Sequence, residues 1–249
     1  MVTQFEKERL LLDVVQEYIE TATPVSSGGL LEKYGYDVSS ATLRNWMAEL
    51  SDAGFLMQPH TSAGRIPTPK AYRFFVDKVA LGAREPVEES EAHKQKALPE
   101  AVRDELETAL RNSPQEAARE MSRYLAEMSH AMGFAGLLGL NQFYREGLRR
   151  LLDEPEFLNT ENVRRLVEFA DSLEEEMEQV FRNLDEDVQI IIGSPEHPRR
   201  EMPFSVMAFT SELPNHERAV FGIVGPMRMR YSDNLRLLED IRGVFNDYE

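Results

Sequence analysis

The stretch that most restricts the fold of this chain is residues 38–70, where a capped helix is followed by a polar loop bounded by prolines. Ser39 and Ser40 are good N-cap residues, because a serine hydroxyl accepts a hydrogen bond from an unpaired amide of a helix's first turn. Apolar side chains then recur at helical spacing, at Leu43, Met47 and Leu50. Gly54 stands where a helix commonly ends. The pattern predicts one amphipathic helix with a defined start and end.

The residues after this helix predict a short strand, at residues 55–57, and a loop that contains Arg65. A helix with Arg44 and Asn45 on its outer face, followed by such a strand and loop, is what a winged helix-turn-helix requires. In that domain the helix enters the major groove, where arginine binds guanine and asparagine binds adenine. Arginine and asparagine also occur on exposed helix faces without any function. The pattern by itself leaves both interpretations open.

The candidate DNA-binding residues lie in the helix and in the loop. Arg44 and Asn45 are the leading candidates for base contacts, and Arg65 is expected to contact the backbone or the minor groove. The full set is Ser39, Ser40, Thr42, Arg44, Asn45, His60, Thr61, Ser62 and Arg65. His60 also has a simpler interpretation, as a solvated loop residue.

The net charge of −16 argues against nucleic-acid binding at first sight. The charge is unevenly distributed, because residues 1–83 hold 8 Lys and Arg against 10 Asp and Glu, and the remaining residues account for −14. Residues 39–73 have a net charge of +2. Since salt screens exposed charges beyond about 8–10 Å, this local charge matters more than the total. We expect few phosphate contacts and weak non-specific binding.

Composition also excludes several classes of function. The chain has no cysteine, which excludes disulfides and thiolate chemistry and is typical of a reducing compartment. The five histidines are scattered without metal or catalytic spacing, so neither an enzyme, a metal site nor a cofactor is predicted. The longest apolar run, residues 131–140, is too short to span a bilayer, and residues 1–7 lack a signal sequence. We expect a soluble cytoplasmic protein.

The remaining N-terminal residues predict the rest of a winged helix-turn-helix over residues 1–82. Residues 5–21 have the spacing of a first helix, and Ser27 is expected to cap a short second one. Thr68 is expected to cap a fourth helix that begins with a proline. Trp46 has two interpretations, packing beneath the second helix or contacting DNA, and packing is favoured.

The C-terminal part predicts an α+β domain. Residues 83–113 are interpreted as a linker or helical connection, and residues 114–249 as a dimerisation or regulatory domain. Residues 141–184 are expected to be helical, and β-branched or alternating runs then predict three strands and a closing helix. The run at residues 133–140 fits a buried strand or a close-packed helix end. A seam of apolar residues fits core packing or a dimer contact: Ala118, Met121, Leu125 and Met128.

Two stretches of the chain resemble the family of heat-inducible transcription repressors named HrcA. They are TATPVSSGGLLEKYGYDVSSATLRNWMAELSDAGFLMQPHTSAGRIPTPKAYRFFVD and, near the end, FGIVGPMRMRYSDNLRLLEDI. The resemblance implies a mostly helical α+β chain, with an N-terminal winged helix-turn-helix followed by a reduced GAF-like domain. The glycines at 28 and 29 and the tryptophan at 46 depart from the family pattern, and the family's inserted dimerisation domain is expected to be missing.

The resemblance also implies a function. Family members repress chaperone and chaperonin genes by binding an inverted repeat, called CIRCE, as homodimers, and they release it on heat stress with the chaperonin as a folding partner. Double-stranded DNA, a second copy of the chain and a chaperonin are therefore the expected partners. Two other functions stay open: a winged-helix module that binds proteins rather than specific DNA, and a GAF-like domain that senses a small ligand.

Overall fold

The fold of the chain, in a computed structural model, is α+β, as the sequence predicts, and it divides into two compact units, residues 1–85 and 86–249. The structure describes residues 4–60, 63–80, 98–181, 187–193, 202–213 and 216–246. The first unit is a winged helix-turn-helix and the second is a GAF-like sheet covered by helices.

The described residues of the first unit form four helices and a two-stranded antiparallel sheet. The helices are α1 (Gln4–Thr21), α2 (Ser27–Tyr34), α3 (Ser40–Asp52) and α4 (Pro69–Phe75), the last continuing as a π-helical turn over Val76–Ala80. The strands are β1 (Leu56–Met57) and β2 (Ile66–Pro67). Each helix predicted from the spacing of apolar residues is therefore present.

Two helix caps differ from those expected. The N-cap of α2 is Ser26 rather than Ser27, and its hydroxyl accepts a hydrogen bond from the Gly29 amide at 3.1 Å. Thr68 does occupy the N-cap of α4, but its hydroxyl donates to the carbonyls of Gly54 and Phe55, at 2.8 and 3.0 Å. Sequence spacing does not reveal the two acceptors of the Thr68 hydroxyl, because they precede Thr68 by 14 and 13 residues in the chain. Thr68 thereby ties the start of α4 to the segment after α3.

The core of the first unit holds α3 in place. The predicted apolar face of α3 is buried, and Trp46 is buried with it at 5% exposure. The packing interpretation of Trp46 is therefore correct. Gly35 ends α2 with a φ of 63° and Gly54 follows α3 with a φ of 77°, a left-handed conformation that glycine adopts without strain. These two turns set the direction of the chain before and after α3.

The second unit contains five helices, a 3-10 turn and five strands among its described residues. The helices are α5 (Glu100–Asn112), α6 (Pro114–Ser129), α7 (Leu148–Leu152), α8 (Thr160–Phe181) and α9 (Tyr231–Asn246), and the 3-10 turn is Pro155–Leu158. The strands are β3 (Met132–Leu137), β4 (Gln142–Glu146), β5 (Gln189–Ile192), β6 (Phe204–Glu212) and β7 (Arg218–Pro226). All five strands form one antiparallel sheet in the order β4-β3-β7-β6-β5.

The hairpin of β3 and β4 corrects one prediction and decides another. The stretch at 133–140 is mostly a buried strand, so the helix-end alternative is wrong. Residues 142–146, expected to be helical, are instead an edge strand whose backbone pairs with β3. Pairing satisfies the polar groups of β3, which is buried on both faces, and this overrides local propensity. The early part of the sheet is therefore formed by β3 and β4.

Helices cover both faces of the sheet. α6 packs on β3, β4 and β7, and α9 packs on β6. The approach of α6 to β3 is very close, since a Cβ on Gly133 would lie 2.2 Å from the Ser122 carbonyl oxygen. Side chains of α7 and α8 join the core on the other face, where the rings of Phe169 and Phe204 are 4.8 Å apart. The sheet is thus the centre of a three-layer unit.

The seam on α6 belongs mostly to this core. Ala118, Met121 and Leu125 are fully buried within the unit, whereas Met128 is half exposed. The core-packing interpretation therefore holds for three of the four residues. The fourth lies in the last turn of α6, one residue before Ser129, and the chain then leaves the helix through a left-handed His130.

An ion pair closes the turn between β7 and α9. Arg228, which is half buried, donates to the Glu154 carboxylate and to Glu156 at 2.6 Å. Partial burial strengthens such pairs, because less water screens them. The pair ties the turn to the segment between α7 and α8.

Within the described ranges, no helix combines the length and apolar character needed to cross a membrane. The same ranges contain no group of histidine and carboxylate side chains that could hold a metal ion.

Candidate nucleic-acid interface

The outer face of α3 presents two polar side chains to solvent. Arg44 and Asn45 are exposed, and neither side chain makes a hydrogen bond or ion pair with another described residue. They lie on the side of the helix opposite Leu43 and Met47, which are buried. An arginine and an asparagine in this setting have their donors and acceptors available for base edges. The structure thus brings together the two leading candidates on one rigid face.

The three hydroxyl residues at the start of α3 are already engaged. Ser39 is the N-cap, accepts from the Thr42 amide at 3.1 Å, and shares a 2.8 Å hydrogen bond with the Thr42 hydroxyl. The Ser40 hydroxyl is 3.0 Å from the hydroxyl of the buried Ser27, which belongs to α2. Ser40 therefore joins α3 to α2. The hydrogen bonds between Ser39 and Thr42 fix the N-terminal end of α3.

The wing is a hairpin anchored on the segment between α1 and α2. Its strands pair through Leu56 with Pro67 and Met57 with Ile66. His60 is exposed at the tip, where its carbonyl accepts from the Ala63 amide at 2.9 Å. Thr61 and Ser62, also predicted to contact DNA, lie outside the described residues.

Arg65 is held where the wing loop meets β2. Its amide and carbonyl each pair with Val25, at 2.8 Å, and form an isolated antiparallel bridge. Its guanidinium donates from Nη1 to the Gln58 side-chain oxygen at 2.8 Å. The sequence indicates neither partner, because both contacts join residues that only the folded wing brings together.

Lys70 supports the end of α3, and the sequence pattern does not indicate this contact. Lys70 donates to the Ala53 carbonyl at 2.8 Å and lies 4.2 Å from the centre of the Phe55 ring. A cation at this carbonyl end favours the helix dipole of α3. Lys70 therefore links α4 to the end of α3 and to the segment that follows it.

The turn between α2 and α3 is fastened to α1. The Tyr36 hydroxyl donates to the Asp13 carboxylate, and the Arg9 guanidinium lies 5.0 Å from the Tyr36 ring centre. Burial raises the pKa of Tyr36 well above its usual range, and the hydrogen bond to Asp13 raises this pKa further. The hydroxyl therefore stays protonated and keeps donating at neutral pH.

Comparison with protein families finds one match that covers most of the second unit. The model described as HrcA protein C terminal domain matches residues 90–234, more than half of the chain. A solved structure described as a hypothetical protein at 2.2 Å resolution aligns with a TM-score of 0.74 and 19% identity. The alignment covers 100% of this chain and 98% of that one. At this identity the likeness concerns the fold alone.

Individual relatives match more closely over shorter stretches. The heat-inducible transcription repressor HrcA of Thermodesulfovibrio yellowstonii is 60% identical over 72 residues, 29% of this chain and 21% of that protein. The protein of the same description from Geobacter sulfurreducens is 38% identical over 156 residues, 59% of this chain and 42% of that protein. The matches thus span less than half the length of these relatives.

Proposed function

Because the chain belongs to the HrcA family, we propose that it is a sequence-specific DNA-binding repressor of chaperone and chaperonin genes. It binds an inverted repeat as a homodimer in the cytoplasm and leaves it on heat stress. The observation that supports this most directly is the outer face of α3, where Arg44 and Asn45 are exposed without partners among the described residues. No catalytic step is part of the proposal.

In the proposed complex α3 lies in the major groove. Arg44 donates to the acceptors of a guanine and Asn45 pairs with an adenine, which are the base contacts that these side chains favour. Ser39, Ser40 and Thr42 lie at the same helix end and support the approach to the backbone. The supports from Ser27 and Tyr36 keep this face rigid, so that little conformational freedom is lost on binding.

The wing supplies contacts outside the major groove. Arg65 contacts the backbone, and His60 together with Thr61 and Ser62 extends the same surface toward the minor groove. Contacts of this kind position a protein on the duplex and do not select bases directly. With few cations near the interface, the salt dependence of binding is expected to be shallow.

Two-fold symmetry supplies the remaining specificity. One winged helix contacts only a few base pairs, too few to select one site in a genome. A symmetric dimer on an inverted repeat doubles the number of contacts. We assign this dimerisation to the second unit, with a chaperonin as its folding partner. Unfolding of a marginally stable second unit would separate the dimer and release the operator on heating.

The test measures fluorescence anisotropy of an inverted-repeat duplex and of a scrambled duplex over a salt series. Arg44→Ala is expected to lower the preference for the repeat by about 1–3 kcal/mol, since one bidentate base contact is lost. Arg73→Ala is the matched control, an exposed arginine on α4 outside the proposed interface, and it should leave the preference unchanged.

Two results would contradict the proposal. Equal and weak binding of the wild type to both duplexes would instead favour a winged-helix module that binds proteins. Operator binding that persists well above the temperature at which the second unit melts would reject the heat-release mechanism while leaving the base contacts standing.

A further inference from the structure

The wing contains a side-chain clamp between the two ends of its loop. Gln58 follows β1 and Arg65 precedes β2, and Arg65 Nη1 donates to Gln58 Oε1 at 2.8 Å. Gln58 Nε2 in turn donates to the Ala63 carbonyl at 2.9 Å. One amide therefore joins the guanidinium on one side to the loop backbone on the other.

The backbone beneath the clamp is fixed independently. Arg65 exchanges two hydrogen bonds with Val25, both at 2.8 Å. Gly64 approaches the same segment so closely that a Cβ there would lie 2.3 Å from the Val25 carbonyl oxygen. With the main chain immobilised, the direction of the guanidinium depends on its own torsions and on the Gln58 acceptor.

An amide side chain satisfies the chemistry of the clamp. A guanidinium only donates and a carbonyl only accepts, so the residue between them must accept from one and donate to the other. A glutamate at position 58 would accept from Arg65 but would repel the Ala63 carbonyl. Glutamine is also uncharged, so Arg65 keeps its full positive charge, and one of its five N–H donors is engaged.

We propose that Gln58 is the positioning residue that aims Arg65 at a DNA phosphate. This inference rests on the proposed DNA-binding function and adds a role that the α3 face does not require. By holding Nη1, Gln58 engages one donor of the guanidinium, and the other donors have no partner among the described residues. Because the clamp already restrains the guanidinium, Arg65 loses less conformational entropy when it binds a phosphate. Because the clamp is neutral, it does not weaken the attraction between Arg65 and the phosphate.

The experiment uses the full chain and measures affinity for the repeat and scrambled duplexes as a function of salt. Arg65→Ala should reduce the salt slope by about 1, as expected for one lost phosphate contact. Gln58→Ala should weaken binding about threefold to tenfold with an unchanged slope, because the cation remains but is no longer oriented. Gln58→Glu should reduce the slope toward that of Arg65→Ala, because the carboxylate neutralises the guanidinium.

The double variant separates positioning from a general loss of stability. In the Arg65→Ala background, Gln58→Ala should have no further effect on affinity. Gln16→Ala removes an amide bonded to Glu20 on α1 and serves as the matched control, with unchanged binding. Denaturation followed by Trp46 fluorescence verifies that each variant is folded.

Phosphate contacts are independent of sequence, so the inference and the repressor proposal fail separately. If the wild type binds both duplexes alike, the repressor proposal is rejected. If the Gln58 and Arg65 variants of that chain still differ in affinity and salt slope as expected, the clamp is retained. Wild-type affinity in Gln58→Ala, or an equal loss in both backgrounds, would overturn the clamp alone. No binding to either duplex would overturn both.

Discussion

Replacing Gly64 by alanine tests the anchoring of the wing on the segment between α1 and α2. An added Cβ would lie 2.3 Å from the Val25 carbonyl oxygen and 2.7 Å from that of Pro24. Both neighbours are backbone atoms and cannot rotate away as a flexible side chain would. The wing must therefore move off this segment, and the two hydrogen bonds between Arg65 and Val25 are lost.

The expected cost follows from these contacts. Each lost hydrogen bond contributes a net of about 0.5–1.5 kcal/mol. Alanine offsets part of this loss, because it reduces the conformational entropy of the unfolded chain by about 0.4–1 kcal/mol. We expect Gly64→Ala to lower the free energy of unfolding of the first unit by roughly 1–2 kcal/mol. In a unit of this size each kcal/mol lowers Tm by about 4–8 °C.

The assay is denaturant unfolding followed by tryptophan fluorescence. Trp46 is the only tryptophan in the chain and is buried in the first unit, so its emission reports that unit specifically. Gly28→Ala is the matched control, since a Cβ there meets no atom within 4 Å. Gly28 lies inside α2, so the control should stabilise the unit by up to about 1 kcal/mol. Unchanged or increased stability of Gly64→Ala would refute the argument from backbone contact.

Three further predictions concern the second unit. Arg228→Ala leaves two partly buried carboxylates without their cation and should lower the free energy of unfolding by about 1–3 kcal/mol, measured by calorimetry; an unchanged Tm would contradict this. The hydrogen bond from Arg164 lowers the pKa of Glu161 to about 2, so this pairing is intact above the ordinary glutamate pKa and is lost as the pH falls through about 2. Carbon-detected NMR titration should show this pKa rising in Arg164→Ala, and the same midpoint in both proteins would disprove the assignment. Gly133→Ala places a Cβ 2.2 Å from the Ser122 carbonyl oxygen and should destabilise the unit by about 1–3 kcal/mol through separation of α6 and β3. A urea unfolding curve of this variant that matches the wild-type curve would count against so close a packing.

The helices of the first unit could be predicted because their signals are local. The apolar spacing in α3, its serine cap and the glycine that follows it all lie within sixteen residues. Such signals depend on periodicity and capping chemistry, which neighbouring residues in the chain provide. The exposure of Arg44 and Asn45 followed from the same periodicity, because the buried face determines the opposite one.

The strand β4 could not be predicted in this way. Its sequence between Gln142 and Glu146 has no clear alternation, and apolar residues nearby fit helical spacing. What makes it a strand is pairing with β3, whose backbone needs a partner at the sheet edge. Likewise, Ser40 was a candidate for DNA contact on spacing, whereas its hydroxyl lies beside Ser27 of the neighbouring helix.

The sequence by itself therefore determined the helix-turn-helix, the position of the wing and the outward direction of Arg44, since each depends on residues close together in the chain. The tertiary structure alone decided what holds Arg65, because Val25 and Gln58 meet it only when the wing folds back. Hydrogen bonds of this kind depend on distances between separate segments, and a pattern along one segment contains no such distances.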